Sequence, residues 1–140
     1  MPEKKNHKEI FRSPPLNPNL PFATTVQYGD LIFVSGVVGR DFKTGEIAKL
    51  DIKEQTRQAL RNISSFLEDA GSSLERALKV NIFLKDMRLF ALVNQAYREF
   101  FLAGFPARTC VEVVSLPDPD ALVEIDCIAV KTSEQEDQDV

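Results

Sequence analysis

The segment Leu31–Val38 constrains the fold of this chain more than any other. Side chains alternate along a strand, and here both faces are apolar: Leu31, Phe33 and Val37 on one, Ile32, Val34 and Val38 on the other. A strand apolar on both sides must be covered on both. The rest of the sequence offers two real helices, enough to cover one face of a sheet. The second cover has to come from outside the chain, so the sequence predicts a homo-oligomer.

Around that strand the pattern reads ββ, α, β, α, ββ. Residues 21–28 and 31–38, split by Gly29-Asp30, form a hairpin. Asp51 caps a helix with Glu54 as its capping-box partner; the apolar face runs through Ile52, Ala59, Leu60, Ile63, Phe66, Leu67 and Ala70, and Gly71 stops it. Ser72 and Glu75 mark a short helical turn, and residues 79–85 a strand. Asp86 caps a second helix whose inward face is Phe90, Val93, Tyr97, Phe100 and Phe101. Strands over 107–114 and 122–131, joined through Pro117 and Pro119, close the domain. The expected architecture is α+β: a mixed sheet with two main helices on one face and oligomer contacts through the other. Residues 20–131 form one domain, 1–19 a flexible polar leader containing Pro14, Pro15 and Pro18, and 132–140 an acidic flexible tail.

Composition excludes several chemistries. The chain of 140 residues has one histidine, His7, and two cysteines, Cys110 and Cys127. With the lone histidine in the polar leader, a Ser-His-Asp triad and a Cys-His site are not expected, and two cysteines with that histidine cannot build a structural zinc site. Glu134, Glu136, Asp137 and Asp139 in the tail account for the whole formal charge of −4. The near-neutral body lacks the basic footprint of a nucleic-acid binder. No apolar run approaches membrane-spanning length, and no signal-peptide pattern opens the chain. A cytoplasmic protein with reduced thiols is expected.

Alternation then assigns faces to the last two strands. In 107–114, Ala107, Thr109, Val111 and Val113 oppose Arg108, Cys110, Glu112 and Val114. In 122–130, Val123, Ile125, Cys127 and Ala129 oppose Glu124, Asp126, Ile128 and Val130. Turning the cleaner apolar sets to the helices sends Arg108, Cys110, Glu124 and Asp126 to the oligomer side. From the residues alone, Arg108 serves equally as an ion-pair partner for Glu112 or Glu124, Glu124 as a subunit contact and Asn94 as a structural hydrogen-bonding group. Cys110 reads as a small buried side chain, and Ser35, with no histidine nearby, as a hydrogen-bonding group.

The run Phe105-Pro106-Ala107-Arg108-Thr109-Cys110-Val111-Glu112-Val113 resembles the signature of the RidA/YjgF/UK114 family. Ile32-Phe33-Val34-Ser35-Gly36, Val80-Asn81-Ile82-Phe83-Leu84-Lys85-Asp86, Phe90-Ala91-Leu92-Val93-Asn94 and Val123-Glu124-Ile125-Asp126-Cys127-Ile128-Ala129-Val130 match it in the right order. The resemblance implies a chorismate-mutase-like protomer and a homotrimer with ligand clefts between subunits. It implies hydrolysis of 2-aminoacrylate and 2-imino acids of the 2-iminobutyrate type to 2-keto acids and ammonia. Carried over, Arg108 holds the substrate carboxylate, the Cys110 backbone contacts the imine, and Glu124 positions and activates water; Ser35 and Asn94 line the same cleft. Relatives linked to larger enamines, of the aminomuconate or pyrimidine-breakdown type, and a non-enzymatic small-acid binder are the alternatives; RNA cleavage is not expected.

The residue types suit that chemistry by themselves. A guanidinium fork meets a planar carboxylate with two charge-assisted bonds. A partly buried glutamate whose pKa rises toward neutrality can move the protons of a hydrolysis. The substrate brings its own reactivity, so no metal or organic cofactor is called for. One departure stands out: the family's glycine-proline-tyrosine segment is Leu20-Pro21-Phe22 here. Losing a neutral hydrogen bond from that hydroxyl costs roughly 0.5–1.5 kcal/mol, up to about tenfold in rate; losing a proton donor costs ~10²–10⁴. Phe22 at this position points to a larger or more apolar substrate. One extra residue between Leu116 and Glu124 reshapes the cleft rim.

Overall fold

The computed structural model describes residues 9–132. Six strands, β1 (Ile10–Arg12), β2 (Thr25–Tyr28), β3 (Leu31–Val38), β4 (Ala77–Leu84), β5 (Ala107–Glu112) and β6 (Val123–Val130), form one sheet in the order β1-β2-β3-β6-β4-β5. Two helices, α1 (Ile52–Asp69) and α2 (Phe90–Arg98), connect β3 to β4 and β4 to β5. β4 and β5 pair in parallel, while β3 and β4 each run antiparallel to β6 and so parallel to each other. Both crossovers step the same way across the sheet. Right-handed connections therefore put both helices on one face.

The helix ends follow their sequence signals. The Asp51 side chain accepts the Glu54 N–H at 3.1 Å, capping α1. Gly71, with φ of 83°, ends it in a left-handed turn. There the Ser72 N–H reaches the Leu67 carbonyl at 2.8 Å and the Gly71 N–H that of Glu68 at 3.1 Å. The acidic tail expected over 132–140 lies almost wholly outside the described residues, as do positions 1–8 of the leader.

The core lies between the helices and one sheet face, where Ile32, Val80, Ile82, Ile125, Cys127 and Ala129 meet Leu60, Ile63, Leu67, Val93 and Tyr97. The opposite face carries Tyr28, Leu31, Phe33 and Val111, all exposed, with Phe33 at 40%. The described residues leave this face uncovered, in keeping with the doubly apolar β3.

Three details correct the sequence reading. Ile10–Arg12 is an edge strand paired with β2, not part of a free leader, because β2 presents an open edge to it. A register shift between Val34 and Val37 turns Val37 toward the helices, opposite buried Ile125, and leaves Val38 opposite Glu124. The β5 faces are inverted: Val80, buried under the helices, pairs with both Arg108 and Cys127, so Arg108 and Cys110 point to the helix side. Edge strand β5 is only partly roofed by the short α2, and the outward side is where Thr109 and Val111 sit.

Candidate functional site

The candidate residues fall into two groups on opposite faces of the sheet. Val80 is in register with Arg108, whereas Phe83, three positions along β4, is in register with Glu124. Odd spacing along a strand means opposite faces. Within one chain the expected guanidinium and carboxylate are not brought together.

On the helix side, Arg108 lies against a stripe of α2 made by Phe90, Asn94 and Tyr97, spaced by four and three residues. Its Nη2 donates to Asn94 Oδ1 at 2.7 Å. The guanidinium carbon sits 4.8 Å from the Tyr97 ring centroid and 5.5 Å from that of Phe90, placing the cation against two π-faces. Neither carboxylate that the sequence offered takes Arg108: Glu112 accepts the Met87 N–H at 2.8 Å, and Glu124 faces away. A cavity of about 210 Å³ opens beside it, lined by Asn94, Tyr97, Arg98, Phe105, Pro106 and Arg108. Such an arrangement fits a small carboxylate.

Burial pushes the Tyr97 hydroxyl up to about 12, so it stays neutral, and it has no hydrogen-bond partner. Cys110 is half-buried next to Arg108 on the same face, partly packed against the core. Burial raises its thiol pKa and Arg108 opposes that. It is a thiol rather than a nucleophilic thiolate. Cys127 is buried, with its thiol pushed up to about 12.

On the other side, Glu124 faces a cavity of about 630 Å³ whose walls include Leu20, Phe22, Ser35, Gly36, Val38 and Pro117. Burial, and then the neighbouring Asp126, raise the Glu124 pKa. Asp126 itself accepts from Asn81 at 2.8 Å. Gly36 makes room for the carboxyl: a Cβ there meets Glu124 Oε2 at 3.0 Å. Ser35 donates its hydroxyl to the Ala23 carbonyl at 2.6 Å and its N–H to the Thr24 carbonyl at 3.1 Å, tethering the segment that carries Phe22. The opposite rim is braced twice. Arg40 is ion-paired with Asp118. Gln55, fully buried in α1, holds the Asp120 carbonyl at 3.1 Å and the Leu122 N–H at 2.8 Å.

A carboxyl whose proton affinity is raised, beside an apolar cavity, is suited to moving protons. Among the described residues no group of three or more His, Cys, Asp or Glu side chains gathers as a metal site.

The family model for endoribonuclease L-PSP matches residues 13–131. The chain belongs to this family. A RutC family protein of Pyrococcus horikoshii is 47% identical, the alignment covering 87% of this chain and 96% of the relative. A 2-iminobutanoate/2-iminopropanoate deaminase of Escherichia coli K12 is 41% identical over 79% of this chain and 88% of its own. The crystal structure of the YjgF gene product of Escherichia coli superposes with a TM-score of 0.77 at 38% identity, covering 86% and 94% of the two chains. The RidA/YjgF resemblance and the α+β fold read from the sequence are thus met by family, relatives and structure alike.

Placed in this L-PSP-family fold, the sequence candidates Ser35, Phe22 and Glu124 share one cavity, and Arg108 and Asn94 another. Residues missed at first are Tyr97 and Phe90 as the aromatic faces of Arg108, Gly36 as the space for Glu124, and Arg40 and Gln55 as braces. Phe90 and Tyr97 belong to the inward face expected of this helix, whereas Asn94 between them was a candidate for the cleft. Phe90 is 39% exposed, which marks it as rim. Gly36 had two sequence signals, a glycine inside a strand and its place in the matched Ile32-Phe33-Val34-Ser35-Gly36 run, and neither names Glu124 as its neighbour. No helix among the described residues is long and apolar enough to cross a membrane.

Proposed function

We propose that this protein hydrolyses small 2-imino and 2-enamino acids to 2-keto acids and ammonia, at sites completed between protomers of a homotrimer. The observation that carries this reading is the Arg108 guanidinium, held by Asn94 and two aromatic faces against a small cavity, with no carboxylate partner among the described residues. Deaminase activity in a 41%-identical relative points the same way.

Arg108 of one protomer clamps the substrate carboxylate with parallel N–H bonds, and the adjacent Cys110 backbone meets the imine nitrogen. The uncovered sheet face and the opposed half-sites call for a second copy, which brings Glu124. Its carboxylate takes a proton from water as the oxygen attacks C2. That proton returns to nitrogen to give a carbinolamine; the second water proton then passes from its hydroxyl through the same carboxylate to nitrogen as the C–N bond breaks and ammonia leaves. One imino acid and one water become one 2-keto acid and one ammonia. The raised Glu124 pKa suits a group that must accept and return a proton. Phe22 borders this chemistry without a hydroxyl, so Glu124 and water carry the proton traffic. The family's name speaks of RNA cleavage, but the single histidine is His7 and no histidine lies among the described residues.

The test couples purified protein to a pyridoxal-phosphate threonine or serine dehydratase and follows 2-keto acid release. Acceleration that disappears in Arg108→Ala with the oligomer intact is the expected result. Equal kcat/KM in the variant rules out the carboxylate clamp.

A further inference from the structure

Next to the Glu124 cavity is a second chamber of about 380 Å³. Leu20, Phe22, Ser35, Gly36 and Val38 line both, so the two adjoin along the end of β3. The side chains at the junction are not packed away: Leu20 is 39% and Phe22 50% exposed. Beyond them Leu16, Phe42 and Phe66 form the inner wall, the last two with ring centroids 5.8 Å apart.

The polar side chains around this chamber are turned to other partners. Arg40 is engaged by Asp118 and the Gly45 carbonyl, Ser35 by the Ala23 carbonyl, Thr24 by the Pro14 carbonyl, and the Asn17 side-chain oxygen by the Asn19 N–H. An entering charged group would lose its hydration without compensation. An apolar group is favoured in proportion to the area it buries.

A 2-imino acid carries three substituents on C2. The carboxylate has Arg108, the nitrogen has the Cys110 backbone and the proton supplied through Glu124, and only the side chain lacks a counterpart. We propose that the second chamber is the side-chain subsite, and that the preferred substrates are 2-imino acids with branched aliphatic or aromatic side chains. This inference rests on the deaminase reading above.

The test generates imines in situ from leucine, phenylalanine and alanine with an L-amino-acid oxidase and compares kcat/KM for their hydrolysis. One methylene in an apolar pocket is worth roughly tenfold or more, so the leucine- and phenylalanine-derived imines should exceed the alanine-derived imine by at least about tenfold. Leu16→Trp, which fills the chamber from an exposed position outside both half-sites, should lower that ratio by about tenfold; Phe42→Trp serves as a second filling variant. Circular dichroism and sedimentation confirm that each variant is folded and assembled. No preference in the wild type, or a preference that survives both filling variants, overturns the proposal. Dissociation of the oligomer in Leu16→Trp overturns it as well, since the chamber is then a subunit contact.

Calorimetry separates this inference from the reaction itself, using 4-methyl-2-oxopentanoate and pyruvate as probes. If no imine is hydrolysed, the deaminase reading fails, yet tighter binding of the longer keto acid, lost in Leu16→Trp, still supports the subsite. Equal binding of the two, or none, refutes it.

Discussion

Gly36→Ala and Gly39→Ala make the same chemical change three residues apart and should fail in different ways. At Gly36 the new methyl meets Glu124 Oε2 at 3.0 Å, Cδ at 3.1 Å and Cγ at 3.3 Å. Those are atoms of a side chain, which can retreat by about 0.4 Å to reach ordinary contact. A misplacement of about 1 Å costs about 10²-fold in rate, so a shift of about 0.4 Å predicts a loss near sixfold in kcat/KM. The fold should change by less than about 1 kcal/mol, since alanine also gains strand propensity over glycine. At Gly39 the methyl meets the Gln55 carbonyl oxygen, and Cα of the same residue at 2.7 Å. This is backbone in the first turn of α1, and relief means moving the helix, at a cost of about 3 kcal/mol or more. Urea unfolding at fixed protomer concentration, with imine hydrolysis on the folded protein, separates the two. Equal destabilisation by both substitutions, or a Gly36→Ala enzyme within about twofold of wild type, would refute the role given to Gly36 as the space for Glu124.

Glu124 must be ionised to take a proton from water, and its pKa is raised, so kcat/KM should climb with pH along a limb centred above the ordinary 4.5. Asp126→Asn keeps an acceptor for Asn81 and removes the lesser of the two causes; a pH profile should show the limb moving down while staying above 4.5, because burial remains. Tyr97→Leu strips one π-face from Arg108 and should raise KM by about 2- to 30-fold with kcat nearly unchanged. Tyr97→Phe keeps the ring and removes a hydroxyl without a partner, so steady-state kinetics and Tm should both stay near wild type. Asp51→Ala deletes the α1 cap and should cost about 1 kcal/mol in urea unfolding without altering turnover.

The elements that rest on local rules were legible in the sequence. The Asp51/Glu54 pair and Gly71 bounded α1, and the doubly apolar Leu31–Val38 announced both a central strand and an uncovered face. Features set by neighbours were not. Arg108 and Cys110 alternate with Thr109 and Val111 on a strand with no clean apolar side, so only pairing with β4 decides which set faces the helices. The register shift after Val34 depends on β6 and inverts Val37. Ile10–Arg12 becomes a strand only because β2 offers it an edge; proline-rich context masked it. The candidate residues could be named by type and motif, but their division between two faces follows from the parallel crossovers, which no spacing in the sequence reveals.

That division makes the central claim testable by mixing two defective chains. Arg108→Ala and Glu124→Gln should each be inactive alone while remaining assembled. In oligomers formed from an equal mixture, an intact Arg108 meets an intact Glu124 at about a quarter of the interfaces. Co-expression, with mixed oligomers verified by native mass spectrometry, should therefore restore about a quarter of wild-type turnover. Mixed oligomers with no recovered activity would contradict a site shared between protomers.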